Sequence, residues 1–287
     1  MVQKIKTIYE LFKEDKYLPK PITYPYQVDT LYIHDGAFHM DDVLFAALIK
    51  VLINPDVEII RTRLIDTYSD KNAIFADVGK LYDGYKYYDH HQLEYTDPTQ
   101  CRSSVGLFWD DWGDKTNYQL LHSLIDDCNK HDTGLKMSLI GSLVSACNSP
   151  INDEDHNIAQ FYHALNYMIE LVNTAVLNGI NKIKIMKVIQ ESRIHNNIVY
   201  LPYNIRNIRY YMETYLKEYC DKNNGIKGFS FLYEKTKTRY IYTINNCYFP
   251  SEIRYNSCIN VYKSNMIGVK ANIDPNVFVN LIKERCN

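Results

Sequence analysis

Thr30-Leu31-Tyr32-Ile33-His34-Asp35-Gly36-Ala37-Phe38-His39-Met40-Asp41-Asp42 is the stretch that decides the fold. An apolar tetrad runs into a turn rich in imidazole and carboxylate. Val43-Leu44-Phe45-Ala46-Ala47-Leu48-Ile49-Lys50-Val51-Leu52 then follows, with the length and apolar content of a largely buried helix. Strand, turn and helix in that order place the polar residues at the carboxyl end of a strand, where open α/β sheets build their sites. The pattern recurs twice: Ala73-Ile74-Phe75-Ala76 delivers Asp77, two residues before Gly79, and Tyr85-Lys86-Tyr87-Tyr88 delivers Asp89-His90-His91. Three strand ends are therefore expected to converge on one edge.

The residue types at those ends define a chemistry. Imidazole and carboxylate without thiolate suit Mn²⁺ or Mg²⁺, and one carboxylate can bridge two ions about 3.5 to 4 Å apart. The set reads as the site of a metal-dependent phosphoester hydrolase. Plainer roles stand beside this one. Asp77 also reads as a turn former before Gly79, Asp41 and Asp42 as charges meeting a helix N-terminus, and Asp132 as a cap. Ser103-Ser104 would equally cap a helix running through Trp109. Arg102 and Lys270 would serve as ordinary surface charges. His122, His156, His163 and His195 have no comparable ligand cluster around them and read as surface or core histidines.

With 287 residues, 46% hydrophobic and 23% charged, the chain is long enough for two packed domains and too apolar for disorder. No apolar run reaches the roughly 18 to 20 residues a bilayer span requires, so no membrane partner is expected. Seven cysteines, an odd number without a C-x-x-C pair, fit neither a disulfide framework nor a thiolate zinc site. An intracellular, reducing compartment follows, with the cytoplasm expected and organelle targeting left open. Lys4, Lys6 and Lys13 invite a transit-peptide reading that Glu10, Glu14 and Asp15 oppose.

The net charge of −2 conceals an asymmetry. Residues 1–150 carry 15 Lys+Arg against 22 Asp+Glu, whereas residues 151–287 carry 17 against 12. An acidic half suits cations and a basic half suits a polyanion. In the basic half, lysines and arginines interleave with Tyr203, Tyr210, Tyr211, Tyr240 and Tyr242, on which bases of a single strand could stack. The same tyrosines also read as an ordinary core.

Strands and helices alternate to about residue 115, with Val57-Glu58-Ile59-Ile60-Arg61-Thr62 as a further strand. That alternation predicts a parallel sheet with helical crossovers. Helical patterns then dominate from Tyr118 to about Arg193. Ile198-Val199-Tyr200-Leu201 opens the second part as a strand. A helix over about 208–219 follows, then hairpin-like strands at Gly228–Tyr233 and Arg239–Ile244, a strand at Cys258–Tyr262, and a closing helix from Val277 to Arg285. The expected division is an N-terminal arm at 1–27, a metal-binding catalytic domain with linker helices at 28–190, and a smaller α+β substrate-binding domain at 191–287.

His34-Asp35-Gly36-Ala37-Phe38-His39-Met40-Asp41, Asp77-Val78-Gly79, Tyr88-Asp89-His90-His91-Gln92 and Arg102-Ser103-Ser104-Val105-Gly106-Leu107, in that order, resemble the melanocyte proliferating gene family of the DHH phosphoesterase superfamily. The resemblance runs from about residue 30 to 134, with His131-Asp132-Thr133-Gly134 similar to the family's later acidic motif. It implies a parallel-sheet DHH-type catalytic domain joined by helices to a smaller α+β domain, with the active site in the cleft. It also implies a 3′-to-5′ exonuclease on single-stranded RNA, or DNA, that activates water with two divalent ions, Mn²⁺ first and Mg²⁺ second. The alternatives are a hydrolase of small phosphoanhydrides or short oligonucleotides, and a non-catalytic nucleic-acid-binding protein with a structural metal. By resemblance His34 and His39 hold one metal, Asp41, His90 and Asp132 the second, and Asp77 bridges both. His91 contacts the scissile phosphate or assists proton transfer. Asp89 is expected to fix a histidine tautomer, and Arg102, Ser103, Ser104 and Lys270 to contact the phosphate. The chain departs from the family's pattern in two places: Asn129 stands where an aspartate is usual, and Met266-Ile267-Gly268-Val269-Lys270 where a glycine-rich phosphate-binding turn is usual. Oligomeric state stays open.

Overall fold

The computed structural model describes residues 7–14, 17–63, 71–93, 100–148, 154–195, 197–201, 225, 227–233, 238–243, 247–248, 259–263, 266–270 and 282–284. The chain divides into two compact units, residues 1–180 and 181–287. The described elements of the first begin with a short helix, Ile8–Glu14 (α1), and then the strand Thr30–Ile33 (β1). All four β1 residues are buried, as expected of a central parallel strand covered on both faces. Helix Met40–Leu48 (α2) is buried at every position and passes into a π-helical turn, Ile49–Ile53. Asn54 ends that turn and donates its amide to the Val28 carbonyl at 2.8 Å, which ties the helix end back to the entrance of β1.

Strands Glu58–Arg61 (β2), Ala73–Ala76 (β3) and Tyr87–Tyr88 (β4) complete a sheet of order β2-β1-β3-β4 with every pairing parallel. β4 is shorter than the aromatic run predicts, and the cause is local. Asp83 Oδ1 accepts from the backbone N–H groups of Tyr85, Lys86 and Tyr87 at 2.9, 2.7 and 2.9 Å, holding them in a turn.

Helices Ser104–Trp112 (α3), Gln119–Asp132 (α4), Leu139–Ala146 (α5) and Glu154–Gln190 (α6) follow. Ser103 and Ser138 cap α3 and α5, each hydroxyl accepting from the backbone N–H three residues on. Phe45 of α2 and Phe108 of α3 pack with ring centroids 5.0 Å apart, and Tyr88 of β4 meets Phe108 at 5.1 Å, so sheet edge and helices share one core. No helix among the described residues is long and apolar enough to cross a membrane.

Helices α3 and α4 meet at Gly106, where an added Cβ would lie 1.9 Å from Asn129 Oδ1. That oxygen cannot move freely, because it accepts from the Ser103 backbone at 3.1 Å and from the Ser103 hydroxyl at 2.9 Å. Gly106→Ala is therefore expected to destabilise the first unit by about 1–3 kcal/mol, the usual range for overpacking a close-packed interior. A urea titration compared with wild type checks it. Asn129 is thus a structural tie that closes over the start of α3.

The second unit contains a mixed sheet of order β10-β11-β8-β7-β6-β5, built from Arg193–His195 (β5), Ile198–Tyr200 (β6), Gly228–Tyr233 (β7), Thr238–Thr243 (β8), Ile259–Lys263 (β10) and Met266–Lys270 (β11). All its pairings are antiparallel except β6 with β7. Cys247–Tyr248 (β9) pairs with Lys283–Glu284 (β12). The closing helix expected over 277–285 is corrected at its described part, which is captured as a strand by β9. The helix expected over 208–219 lies outside the described residues. Tyr240 and Tyr242 pack against the core of Ile185, Ile189, Val199, Leu201, Phe229 and Phe231, which favours the core reading of these two tyrosines. Tyr203, Tyr210 and Tyr211 lie outside the described residues. Met266–Lys270 is an inner strand, with Gly268 opposite Asn260 on one side and Tyr240 on the other.

Candidate metal centre

β1 ends at Ile33 and releases His34 into a turn whose shape depends on Gly36, at φ +83°. The Gly36 carbonyl accepts from Arg61 and from Asn157, both at 2.7 Å, and Phe38 is held at both backbone polar groups by the Asn148 amide. The turn is therefore pinned from β2, from α6 and from the segment after α5. His39 caps α2 in extended conformation, and Asp42 in the first helical turn accepts the His39 N–H at 2.9 Å. Asp41 and Asp42 do sit at the helix N-terminus, where the dipole favours their charge, but they are 0% and 1% exposed and face inward.

β3 delivers Asp77 at φ +54°, a left-handed conformation that a non-glycine residue holds only under constraint. Its N–H is bound by the Tyr88 carbonyl at 2.9 Å. Asp77 therefore stands in a turn, and that turn aims its carboxylate into the cluster of imidazoles. Around it, His34 Nε2 stands 3.7 Å from Oδ2, His90 Nδ1 3.7 Å and His91 Nδ1 3.4 Å from Oδ1. The Ser104 hydroxyl donates to Oδ1 at 3.0 Å. Asp132, the last residue of α4, approaches His90 Nε2 at 3.4 Å.

Three groups of candidate ligand atoms lie within 4.8 Å of one another: His34, His39, Asp42 and Asp77; Asp77, His90 and His91; His39, Asp41 and Asp132. Asp77 and His39 each belong to two of them. His34 Nδ1, Asp41 Oδ2, Asp42 Oδ1 and Asp132 Oδ2 are buried without a hydrogen-bond partner among the described residues. Native interiors rarely leave such atoms unmatched unless an ion or water completes them. The donor set is nitrogen and oxygen. Cys128 beneath it has its thiol pushed up by burial first and then by Asp41 and Asp132, which keeps the proton on sulfur. The residues fit divalent cations of the Mn²⁺ or Mg²⁺ type.

Electrostatics say the same. Burial raises Asp41 well above the carboxylate range, with Asp77, Asp132 and Asp42 adding repulsion. Burial pushes Asp42 up to about 7 and raises Asp132 also. Burial lowers His39, reinforced by His34. Carboxylates crowded this closely either hold protons or ionise beside a compensating positive charge, of which a bound cation is one source.

Asp89 lies outside the ligand groups. Burial opposes its ionisation, but the N–H groups of His91 and Lys80 and the His91 ring outweigh it, so its carboxyl is held low. Its Oδ1 meets His91 Nδ1 at 2.8 Å. His91 is 51% exposed and its ring is raised: burial works against the proton, and Asp89 and Asp77 overcome it.

Ser103 is fully buried, donating to Asn129 and accepting from Gly106 at 3.3 Å, so the capping reading describes it. Ser104, 1% exposed, turns inward to Asp77 and lies 3.4 Å from His90 Nδ1. Arg102 Nε donates to Asp110 Oδ2 at 2.7 Å, and Asp110 also takes Lys115. The Lys270 side chain lies outside the described residues. Asp42 and the inward role of Ser104 were missed from sequence; an acidic residue three positions after a helix cap is the signal that marks Asp42. Ser104→Ala would leave Asp77 Oδ1 without its hydroxyl donor, and Mn²⁺ affinity by calorimetry is expected to fall about tenfold, as for loss of a group that orients a ligand.

An α/β unit whose sheet edge gathers imidazoles and unmatched buried carboxylates defines a protein able to hold metal ions. Over residues 30–133 the chain matches the MYG1_exonuc family model, described as an uncharacterised protein family. It is 37% identical over 106 residues to the MYG1 exonuclease of Homo sapiens, covering 33% of this chain and 28% of that protein. It is 34% identical over 97 residues to a MYG1 protein of Schizosaccharomyces pombe, covering 32% and 30%, and 30% identical over 149 residues to the MYG1 protein of Chlamydia muridarum, covering 48% and 51%. These matches support the MYG1 family over the shared segment, which spans about a third to a half of those relatives. An exopolyphosphatase-related protein from Bacteroides fragilis aligns over 98% of this chain and 96% of its own at 10% identity, with a TM-score of 0.23, too low to define a common fold.

Proposed function

We propose that the chain is a divalent-metal-dependent phosphodiesterase of the DHH type, a 3′-to-5′ exonuclease on single-stranded RNA, with DNA as the alternative strand. The observation that carries it is the convergence of His34, His39, Asp41, Asp77, His90 and Asp132 around buried oxygens that lack donors. The human relative is an exonuclease by name, which supports a nucleic-acid substrate. In this reading His34 and His39 would hold one Mn²⁺, Asp41, His90 and Asp132 would hold a second, and Asp77 would contribute to both. Bound divalent ions supply an activated water and offset charge developing on the phosphate.

The chain's own residues do the rest. Asp89 takes the His91 Nδ1–H, so Nε2 faces outward from a half-exposed ring that holds its proton readily. His91 is accordingly assigned proton donation to a phosphate or leaving oxygen. Ser104 steadies Asp77 from behind. Arg102 is proposed to exchange Asp110 for a phosphate oxygen, and Lys270 to add charge. Ser103 gives up substrate contact for its cap.

A second reading, hydrolysis of small phosphoanhydrides or short oligonucleotides, is favoured by Gly268, which lies in an inner strand and offers no phosphate-cradling turn. The deciding assay supplies end-labelled single-stranded RNA and DNA, dinucleotides and pyrophosphate, with Mn²⁺, Mg²⁺ or chelator. Mononucleotides released from the 3′ end are expected. No cleavage of any substrate under any divalent ion defeats the proposal.

A further inference from the structure

We infer that Asp42 is a positioning residue that keeps the His34 proton on Nδ1, so that Nε2 is the nitrogen offered beside Asp77; the role rests on the metal reading above. His34 sits between two carboxylates, with Nδ1 3.7 Å from Asp42 Oδ1 and Nε2 3.7 Å from Asp77 Oδ2. Those carboxylates are not equivalent. Asp77 is also approached by His90, His91 and Ser104, so it is the hub of the cluster. Asp42 is fixed by the helix start, its Oδ2 taken by the His39 N–H, leaving only Oδ1 to face the ring. His34 Nδ1 and Asp42 Oδ1 are both buried and both lack a partner among the described residues, so a small closure satisfies the two together. A neutral imidazole has one donor and one acceptor nitrogen. A carboxylate facing Nδ1 selects the tautomer that leaves Nε2 free to bind a cation. Direct ligation by Asp42 is the competing geometry, since its carboxylate also groups with His34, His39 and Asp77.

The test is a long-range ¹⁵N–¹H spectrum of metal-free, histidine-labelled chain at pH 8.5, where an ordinary imidazole is neutral. The His34 signals are assigned by their loss in His34→Gln. Wild type is expected to show the proton on Nδ1. In Asp42→Asn the carbonyl oxygen can keep the His39 N–H while the amide turns a donor to the ring. Its proton is therefore expected to move to Nε2, and calorimetric Mn²⁺ affinity to fall about 10–100-fold with circular dichroism unchanged. A wild-type Nε2 proton in a chain that binds Mn²⁺ overturns the role alone, whether or not the variant folds. An unchanged tautomer in Asp42→Asn with Mn²⁺ binding lost also overturns it, and makes Asp42 a ligand. A wild-type chain that takes up no Mn²⁺ overturns the metal reading and the role with it.

Discussion

Asp77→Asn is expected to abolish turnover and leave the chain folded. The carboxylate is approached by three imidazoles and a buried hydroxyl, and it belongs to two of the three candidate ligand groups. In the proposed two-ion site, loss of the shared ligand would remove several kcal/mol of charge stabilisation in the transition state, a rate loss on the order of 10³-fold or more. Asparagine is the informative replacement because it tolerates the left-handed backbone at φ +54°, whereas alanine adds strain there. Asp77 also raises Asp41 and Asp132 by repulsion. Removing its charge relaxes them, so the metal-free variant should melt no lower than wild type at pH 8. RNA retention in a gel shift should change little. Activity within tenfold of wild type would remove the bridging role, and an inert wild type whose Asp77→Asn variant merely melts lower in Mn²⁺ would favour a structural metal.

The second large effect is on stability. Asp42 is raised from 3.8 to about 7, and Asp41 and Asp132 are raised also. A carboxyl with a raised folded value contributes stability that is complete below about pH 4 and is lost as pH climbs through the folded value. His91, raised above 6.5, acts in the same direction, and His39, lowered, opposes them. The carboxyls outnumber it. Metal-free protein should therefore lose stability from pH 5 to pH 8. Mn²⁺ reverses the trend, because it binds the deprotonated ligands and its affinity grows with pH. At about a hundredfold excess over its dissociation constant it adds roughly 2.7 kcal/mol per site, or about 5–10 °C in the melting of the first unit. Thermal melts at pH 5 and 8, with Mn²⁺ or with chelator, read this directly. Stability that rises from pH 5 to 8 under chelator, or melts indifferent to Mn²⁺, would contradict the carboxylate crowding.

The first unit was legible because its signals are local. Thr30–Ile33 and Ala73–Ala76 are unbroken apolar runs, and each hands its polar residues to a turn, so strand, direction and site edge can be read from a dozen neighbours. The second unit was harder. Met266–Lys270 is short and carries a glycine, which suits a turn or a strand equally, and only its two ladder partners make it a strand. Tyr240 and Tyr242 follow Lys237 and Arg239, as they would on a nucleic-acid face, yet stacking on Phe231 and Phe229 draws them toward the core.

By itself the sequence determined the composition of the site: which imidazoles and carboxylates exist and that strand ends present them. Their arrangement was decided by tertiary packing. Asp42, Ser104 and Arg102 have the same chemistry whether they face a phosphate, a ligand or a helix, and which they face depends on the crossing of α2 and α3 over the sheet. Ser104 meets Asp77 from the start of α3, which Asn129 of α4 anchors at Ser103, whereas Arg102 meets Asp110 of α3 itself. A side chain's direction is set by what its helix leans on, and that partner lies far away along the chain.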